Sequence, residues 1–421
     1  MRFVCEVFPF VVRGYVMASF FLQRRRSVLV SGALLSLVNG MLYAWSAFTL
    51  PIENATGWSR SQTSLVFTFV LVFFGLGMLS GGYVIRKLGP RLAAACGAMA
   101  LVLGLFLSSC AVAPWQLILS YGIMAGYGIG VANVVPSAVA LCWYPEKRGL
   151  VCGIMACSLA LGTLLFGTCV AGYLNSVAGY VLTLRVLALL ALLIALPASV
   201  FLYYPEDGRR QIPGQGADGL NTCDMVRTPL FRKAWIWTCS VQIGGLMIIG
   251  HIVPYGVEQN ISLELSGTAM GVYAAANGVG RLLFGMLFDA RGSRFAMLAD
   301  AGCMLCGLLL FVFLPPVAGY GGLLIASSCS ALAFGGSIPL FSAFIARNFG
   351  PAHMESNIGT TATVFIIAGF AGPYLGGYVH DITGVYRPAI LLAAFFVIPG
   401  LFSATLLHEK ETPKEAGEDR T

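Results

Sequence analysis

The chain has 421 residues, of which 58% are hydrophobic and only 10% are charged, and its formal net charge is +7. Ordinary globular domains carry about 25% charged residues. This composition excludes a soluble enzyme and indicates a protein that crosses a membrane several times. We predict no catalytic residue and no cofactor. The twelve cysteines show no paired metal-ligand spacing, so we also predict no bound metal.

Apolar stretches long enough to cross a bilayer recur along the whole chain. A spanning helix needs about 20 apolar residues, and twelve such stretches begin near residues 28, 63, 92, 115, 149, 180, 234, 267, 295, 319, 357 and 386. We number them spans 1 to 12. Helices are expected, because a strand exposed to lipid would leave backbone groups unpaired unless it closed a barrel. The predicted fold class is an all-α polytopic membrane protein.

Basic residues are distributed unequally about these spans. Of the 25 Lys and Arg residues, 21 fall on one side of the membrane. Because cytoplasmic loops carry the excess of Lys and Arg, both termini are predicted to be cytoplasmic, in a plasma membrane or a bacterial inner membrane. The positive charge is thus a consequence of topology, and we expect no nucleic-acid partner.

One long polar stretch divides the spans into two groups of six, and it is rich in Gly, Pro, Asp and Arg, as a linker is. An offset of 203 residues aligns four pairs between the halves: Gly82 with Gly285, Gly89 with Gly292, Arg91 with Arg294, and Pro136 with Pro339. The halves therefore look like one ancestral repeat. The predicted organisation is a cytoplasmic N-terminal segment (1–27), a six-helix bundle (28–203), a cytoplasmic linker (204–233), a second six-helix bundle (234–407) and a cytoplasmic tail (408–421). Parallel six-helix repeats around a central cavity are typical of alternating access.

Arg281 lies near the middle of span 8, whereas almost every other Lys and Arg lies outside the hydrophobic segments. An ionised guanidinium at mid-bilayer costs roughly 3 kcal/mol, so it should face water or a partner. The partner is either an anionic substrate or, if the Arg is structural, helix carbonyls or a buried acid. Helical spacing places Tyr273 and Asn277 on the same face as Arg281.

Further candidates are polar groups at comparable depths in other spans. Asn39 and Tyr43 are four residues apart on span 1, and Tyr121 lies in the Gly-rich span 4. Tyrosine supplies an apolar wall with one polar tip. His251 on span 7 and Asp300 on span 9 are candidate coupling residues. Core packing or a structural hydrogen bond is the alternative role at each of these positions.

The loop after span 8 runs from Gly285 to Arg294 as GMLFDARGSR and resembles the loop motif of the major facilitator superfamily. This resemblance implies two pseudo-symmetric six-helix bundles. It also implies that Asp289 and Arg294 latch one conformation without touching substrate. Arg91 is the matching basic residue of the first copy, but Arg86 stands there where the family has an acid.

Two further stretches resemble one branch of that family. The stretch from Asn39 to Ser61 contains YAWSAFTLP and GWSRS, and the stretch from His251 to Arg294 contains HIVPY. Together they are similar to the oxalate:formate antiporter and monocarboxylate transporter branch, over essentially all twelve spans. The resemblance implies that Arg281 binds the substrate carboxylate.

Two departures from that branch bear on the substrate. Oxalate exchangers use a second buried cation on span 11, where this chain has Phe365. Animal proton-coupled carriers have an Asp four residues before the Arg, where this chain has Asn277. We therefore expect secondary transport of a small monocarboxylate such as lactate, pyruvate or formate, with or without a proton. Oxalate:formate exchange and a transporter-like membrane sensor are the open alternatives.

Overall fold

The computed structural model describes residues 24–144, 148–205, 219–350 and 354–407, with the backbone alone at 148–150 and 354–356. Within these ranges the chain is helical and contains no strand. Most of the predicted N-terminal segment, the centre of the linker and the tail therefore lie outside the described residues. The all-α fold class predicted from composition is confirmed.

The first half of the chain forms six membrane helices. Four of them are continuous helices separated by short connections: α1 Arg24–Thr56, α2 Arg60–Leu88, α3 Pro90–Ser108 and α4 Pro114–Trp143. The helix Val151–Val200 follows. It breaks at Gly179, which has a φ of +77°, into α5 (residues 151–178) and α6 (residues 180–200).

The second half repeats this arrangement after a short helix, Thr222–Arg227. Its membrane helices begin with α7, Pro229–Glu258. The helix Leu263–Phe313 breaks at Gly292, with a φ of +79°, into α8 (residues 263–291) and α9 (residues 293–313). The last three are α10 Pro315–Phe349, α11 Asn357–Thr383 and α12 Arg387–Thr405.

The two glycine breaks reconcile ten long apolar helices with twelve predicted spans. At 1.5 Å per residue, a helix of about 50 residues would be roughly 75 Å long, more than twice the ~30 Å hydrocarbon core. The helices of 50 and 51 residues therefore each comprise two crossings. In the described part of the chain, the twelve predicted spans correspond to α1–α12.

The break at Gly292 has a counterpart in the first half. Gly89, which the 203-residue offset aligns with Gly292, has φ and ψ of 80° and 162°, and Gly292 has 79° and 172°. Positive φ of this kind is readily adopted only by glycine. The internal repeat therefore extends from the sequence to the backbone conformation of the loop motif.

Several membrane helices contain irregular turns. In α1, Gly40–Trp45 is a 3₁₀ segment. Single π-helical segments interrupt three other helices, at Ile118–Ala125 in α4, Thr163–Gly172 in α5 and Phe370–Tyr374 in α11. Such interruptions often occur at functional sites. The segments in α5 and α11 fall at equivalent positions of the two halves.

The two bundles meet along α2 and α11. A Cβ atom on Gly75 of α2 would lie 2.8 Å from the carbonyl oxygen of Ala362, and one on Gly369 of α11 would lie 2.5 Å from the Cβ of Leu71. These helices therefore pack with little side chain between them, as small residues allow in membranes.

Candidate substrate-binding site

Arg281 is half-buried in α8 and keeps its positive charge uncompensated by protein. Its Nε donates to Oδ1 of Asn277 over 3.3 Å, one helical turn earlier. Across the described residues, no Asp or Glu lies within ion-pair distance of the guanidinium. The remaining N–H groups are therefore available to a ligand. The contact also shows that Asn277 and Arg281 share one face of α8, as helical spacing predicts.

The backbone around Arg281 is fixed by close contact with α10. A Cβ atom on Gly335 would lie 2.0 Å from the carbonyl oxygen of Asn277, and one on Gly280 would lie 2.0 Å from that of Leu332. No side chain fits at such distances, so only glycine allows these two helices to approach. The contact sets the position of Arg281 relative to α10.

Tyr43 faces the Arg281 region from the opposite bundle. It lies in the 3₁₀ segment of α1 and is only 6% exposed. Its ring packs edge-on against Phe334 of α10, with ring centroids 6.1 Å apart. Tyr43 and Cys157 of α5 both lie close enough to Arg281 to interact with it electrostatically. The site is thus built from both halves of the protein.

Tyr273 lies on the same helix but is already engaged. Its hydroxyl donates to the carbonyl oxygen of Gly245 in α7 over 3.1 Å, and its side chain is fully buried. The ring packs on Phe334, with centroids 6.0 Å apart. Phe334 therefore contacts both Tyr273 and Tyr43.

Asn39 precedes the 3₁₀ segment and is 1% exposed. Neither its amide oxygen nor its amide nitrogen has a hydrogen-bond partner in the described structure. A buried polar group left without a partner costs about 1–3 kcal/mol. An unpaired amide four residues before Tyr43 is therefore suited to a polar ligand or an ordered water.

Tyr121 supports the 3₁₀ segment from α4. Its hydroxyl donates to the carbonyl oxygen of Met41 over 3.4 Å, and its ring lies 5.0 Å from that of Trp45. The hydroxyl is thereby committed to the backbone of α1. The indole Nε1 of Trp45 is buried without a hydrogen-bond partner among the described residues.

Phe365 lies at the interface between the bundles. It is 7% exposed and packs edge-on against Phe74 of α2, with centroids 5.3 Å apart and ring planes at 89°. An aromatic pair thus occupies the position where the family resemblance would place a second cation. Phe365 is part of an apolar wall in this chain.

Within the described residues, neither candidate coupling residue is hydrogen-bonded to Arg281 or ion-paired with it. Asp300 is fully buried in α9, and neither carboxylate oxygen has a hydrogen-bond partner in the described part of the chain. Gly336 packs against it, since a Cβ there would lie 2.8 Å from Oδ1 of Asp300. His251 lies in α7, with both ring nitrogens hydrogen-bonded.

The predicted latch residues, Asp289, Arg294 and Arg91, form no ion pair with one another or with any other described residue. Arg91 stacks over the ring of Tyr203 at 4.9 Å from its centroid. Their role as a latch stays a prediction.

Sequence reasoning missed Phe334 and Cys157 as neighbours of the site. Phe334 directly precedes the Gly335–Gly336 pair, and paired glycines in a spanning helix signal a close helix contact. That signal could have directed attention to the residue beside them. Cys157 carries no comparable signal.

The fold and the site define a helical membrane protein with an uncompensated cation between two six-helix bundles. The chain belongs to the Major Facilitator Superfamily, whose family model matches residues 28–373, and it is therefore a membrane transporter rather than an enzyme. The superfamily predicted from the GMLFDARGSR loop is thereby confirmed.

Comparison with characterised proteins gives relatives that match most of the chain. The oxalate:formate antiporter of Oxalobacter formigenes is 27% identical over 398 residues, covering 91% of this chain and 93% of that protein. Monocarboxylate transporter 13 of Bos taurus is 24% identical over 366 residues, covering 87% and 84%. The predicted similarity to this branch is confirmed at modest identity.

Solved structures agree with the fold. A bacterial homologue of the human lysosomal transporter Spinster superposes with a TM-score of 0.75 at 16% identity, covering 93% of this chain and 99% of that one. The nucleoside transporter NupG gives a TM-score of 0.72 at 13% identity, covering 91% and 100%. At these identities the likeness concerns the fold alone.

Proposed function

We propose that this protein is a secondary active transporter of small monocarboxylates, of the lactate, pyruvate or formate type, that works by alternating access. The observation that carries the proposal is the state of Arg281. Its guanidinium lies inside a membrane-spanning helix, donates only to the neutral amide of Asn277, and has no acid within ion-pair distance among the described residues. A carboxylate that accepts two parallel N–H bonds is the natural partner for such a planar fork.

The charge of the site supports a monoanion. Arg281 supplies one positive charge, and the bundle interface at Phe365 is apolar. A second carboxylate would enter low-dielectric surroundings without a counter-ion, at a cost of several kcal/mol. One buried cation therefore matches one carboxylate.

The position of the site between the bundles supports alternating access. Arg281 and Asn277 belong to the second half, whereas Tyr43 and Asn39 belong to the first. A substrate held by both halves can be released to either side when the bundles rock about it. We place both termini in the cytoplasm on the charge asymmetry of the loops.

Uptake of labelled lactate into liposomes that contain the purified protein tests the proposal. Uptake is expected in the wild type and is expected to fall at least about tenfold in Arg281→Lys and Arg281→Ala, since a charge-assisted bidentate contact is worth about 1.5–3 kcal/mol. Lys keeps the charge but cannot present the planar fork. The matched control is Arg185→Lys, which should transport normally, because Arg185 is an exposed Arg of α6 that donates from Nε to the Ser109 hydroxyl over 3.1 Å.

Exchange of oxalate for formate is the second candidate, favoured by the 27% identity to the oxalate:formate antiporter. It is distinguished by loading the liposomes. If uptake requires formate or oxalate inside the liposomes, and oxalate displaces lactate at the site, the protein is an exchanger. Proton-linked or uncoupled transport would then be excluded. Absence of uptake under every loading and gradient would point to a transporter-like sensor.

A further inference from the structure

A polar network closes the end of the protein at which α1 and α11 finish and α2 and α12 begin, which is the predicted outer end. Nη2 of Arg60 in α2 pairs with Oε2 of Glu53 in α1 over 2.6 Å. Nη1 of Arg60 donates to the hydroxyl of Tyr386, beside the start of α12. The backbone N–H groups of Arg60 and Ser61 donate to the two carboxylate oxygens of Asp381 in α11, over 3.1 and 2.8 Å.

These contacts join the two bundles. Glu53 and Arg60 belong to the first half, and Asp381 and Tyr386 belong to the second. The carboxylate of Asp381 also sits at the N-terminus of α2, where the helix dipole favours a negative charge. The outer end can therefore open only if these bonds break.

His251 of α7 completes the network. Its Nδ1 lies 3.1 Å from the Tyr386 hydroxyl oxygen, and its Nε2 lies 2.8 Å from the carbonyl oxygen of Pro373 in α11. The side chain is 2% exposed. We call His251, Tyr386, Arg60, Glu53 and Asp381 the outer gate.

The hydrogen bonds of the outer gate require a neutral imidazole. Arg60 has no acceptor atom, so it must donate to the Tyr386 oxygen. The hydroxyl proton of Tyr386 is then directed to Nδ1 of His251, which must accept it. Nε2 must carry the remaining proton, because the Pro373 carbonyl can only accept. In this arrangement the donors of both Tyr386 and His251 meet acceptors.

A second proton on His251 would break this arrangement. Nδ1–H would then donate to the Tyr386 oxygen, which already accepts from Arg60, and the Tyr386 hydroxyl proton would lose its acceptor. The imidazolium would also be a second cation close to the Arg60 guanidinium. Apolar side chains line the small cavity beside the ring, including Ile248, Ile252 and Phe311, so the added charge would be poorly solvated.

Several charged and titratable groups surround His251. They are Glu53 on α1, Arg60 on α2, Tyr255 and Glu258 on α7, His380 and Asp381 on α11, and Tyr386 and Arg387 at the start of α12. Nε2 of His380 lies 3.8 Å from Oε2 of Glu258. Protonation of His380 would strengthen that pair, whereas protonation of His251 weakens the outer gate. The two histidines therefore respond to acid with opposite signs.

We infer that His251 is a proton-binding site of this transporter, and that a proton bound there opens the outer gate. The closed state holds the neutral imidazole, and opening exposes the ring to water, where the charged form is solvated. Protons therefore bind the open state preferentially and shift the equilibrium towards it. Acid outside would favour the conformation that loads substrate from outside.

Distance measurement between spin labels tests the inference without any substrate. Labels are attached to cysteines at Ala55 and Val385, exposed positions at the outer ends of the two bundles, in a full-length chain whose native cysteines are replaced. Between about pH 7.5 and pH 5.5 the long-distance population should grow at least about threefold, within the limit of about tenfold per pH unit for one group. In His251→Gln it should not respond, because the amide can make both bonds but cannot titrate.

Two further variants test whether His251 and its bond to Tyr386 carry the pH response. His380→Gln should retain the full pH response, and its loss there would overturn the assignment to His251. Tyr386→Phe removes the hydroxyl between Arg60 and His251, so it should raise the long-distance population already at neutral pH. A pH response that survives in His251→Gln, or a Tyr386→Phe gate that stays closed, contradicts the inference. Because no carboxylate substrate is added in these measurements, neither outcome depends on the proposed substrate.

Discussion

Arg281 and Asn277 are joined by a hydrogen bond of 3.3 Å between Nε and Oδ1, one turn apart on α8. The amide orients the guanidinium but carries no charge, so it does not neutralise it. The bond also occupies Nε and leaves the two terminal nitrogens of Arg281 for another partner. A neutral neighbour orients the cation without pairing with it, whereas an ionised carboxylate at the same position would compete with the anion.

Replacing Asn277 by Asp should place such a competitor in the site. At neutral pH the new carboxylate would pair with Arg281, and substrate affinity should fall about tenfold, the equivalent of about 1.4 kcal/mol. Acid should restore affinity by protonating the Asp. Lactate uptake measured between about pH 5.5 and pH 7.5 should thus become steeper with pH than in the wild type, because a carboxyl beside a carboxylate ligand titrates nearer to neutrality. Asn277→Ala is the control, and an Asp variant with the wild-type pH profile would contradict this role.

Asn39→Leu should change stability and affinity in opposite directions. The Asn39 amide is buried without a partner among the described residues, so an apolar residue of similar size should stabilise the empty protein by about 1 kcal/mol. Loss of the amide should weaken substrate binding. Thermal unfolding without substrate, together with uptake kinetics, measures both effects.

The matched control for Asn39 is Asn357→Leu. Asn357 is also fully buried, but it donates to the Leu220 carbonyl over 3.0 Å and accepts from Thr222 over 2.8 Å. Its replacement should destabilise the protein. If Asn39→Leu were destabilising to the same extent, Asn39 would have a structural partner and would not await a ligand.

Gly335→Ala should disturb the site through the backbone. The new Cβ would lie 2.0 Å from the carbonyl oxygen of Asn277, so α8 and α10 must separate, at a cost of about 1–3 kcal/mol. Both the unfolding temperature and lactate affinity should fall. Gly321→Ala on the same helix meets nothing within 4 Å and should leave both unchanged. Equal behaviour of the two variants would show that the close contact does not position Arg281.

Phe365→Lys should shift the preference towards dianions. A cation at this interface would supply the second charge that oxalate needs, so oxalate should compete with lactate about tenfold better than in the wild type, a change of about 1.4 kcal/mol. Phe365→Leu keeps the wall apolar and should preserve the original ratio. An unchanged ratio in a folded Phe365→Lys variant would remove Phe365 from the determinants of specificity.

The fold was predictable from the sequence because the bilayer imposes a strong physical constraint. Helices are required wherever about 20 apolar residues cross the hydrocarbon core. The sequence predicts that spans 6 and 9 begin near residues 180 and 295, and the structure breaks the helices close by, at Gly179 and Gly292. The repeat was visible because Gly89 and Gly292 occupy backbone conformations that only glycine adopts readily.

Part of the candidate site was also predictable. Arg281 stands out in sequence because a charge within a spanning helix is costly wherever it lies, and helical periodicity is enough to place Asn277 beside it. Contacts between distant helices leave no such periodic signal. The commitment of the Tyr273 and Tyr121 hydroxyls to backbone carbonyls, for example, depends on which helix packs opposite each ring.

The sequence by itself thus determined the helical class, the number of crossings, the internal repeat and the charged residue at the centre, since each follows from local hydrophobicity or local backbone geometry. Only the tertiary structure decided that Tyr43 and Phe334 meet across the bundles near Arg281. It alone joined His251 to Arg60 through Tyr386, residues that come together from three separate parts of the chain. Helix packing sets such contacts through backbone distances and side-chain shapes, which no local pattern records.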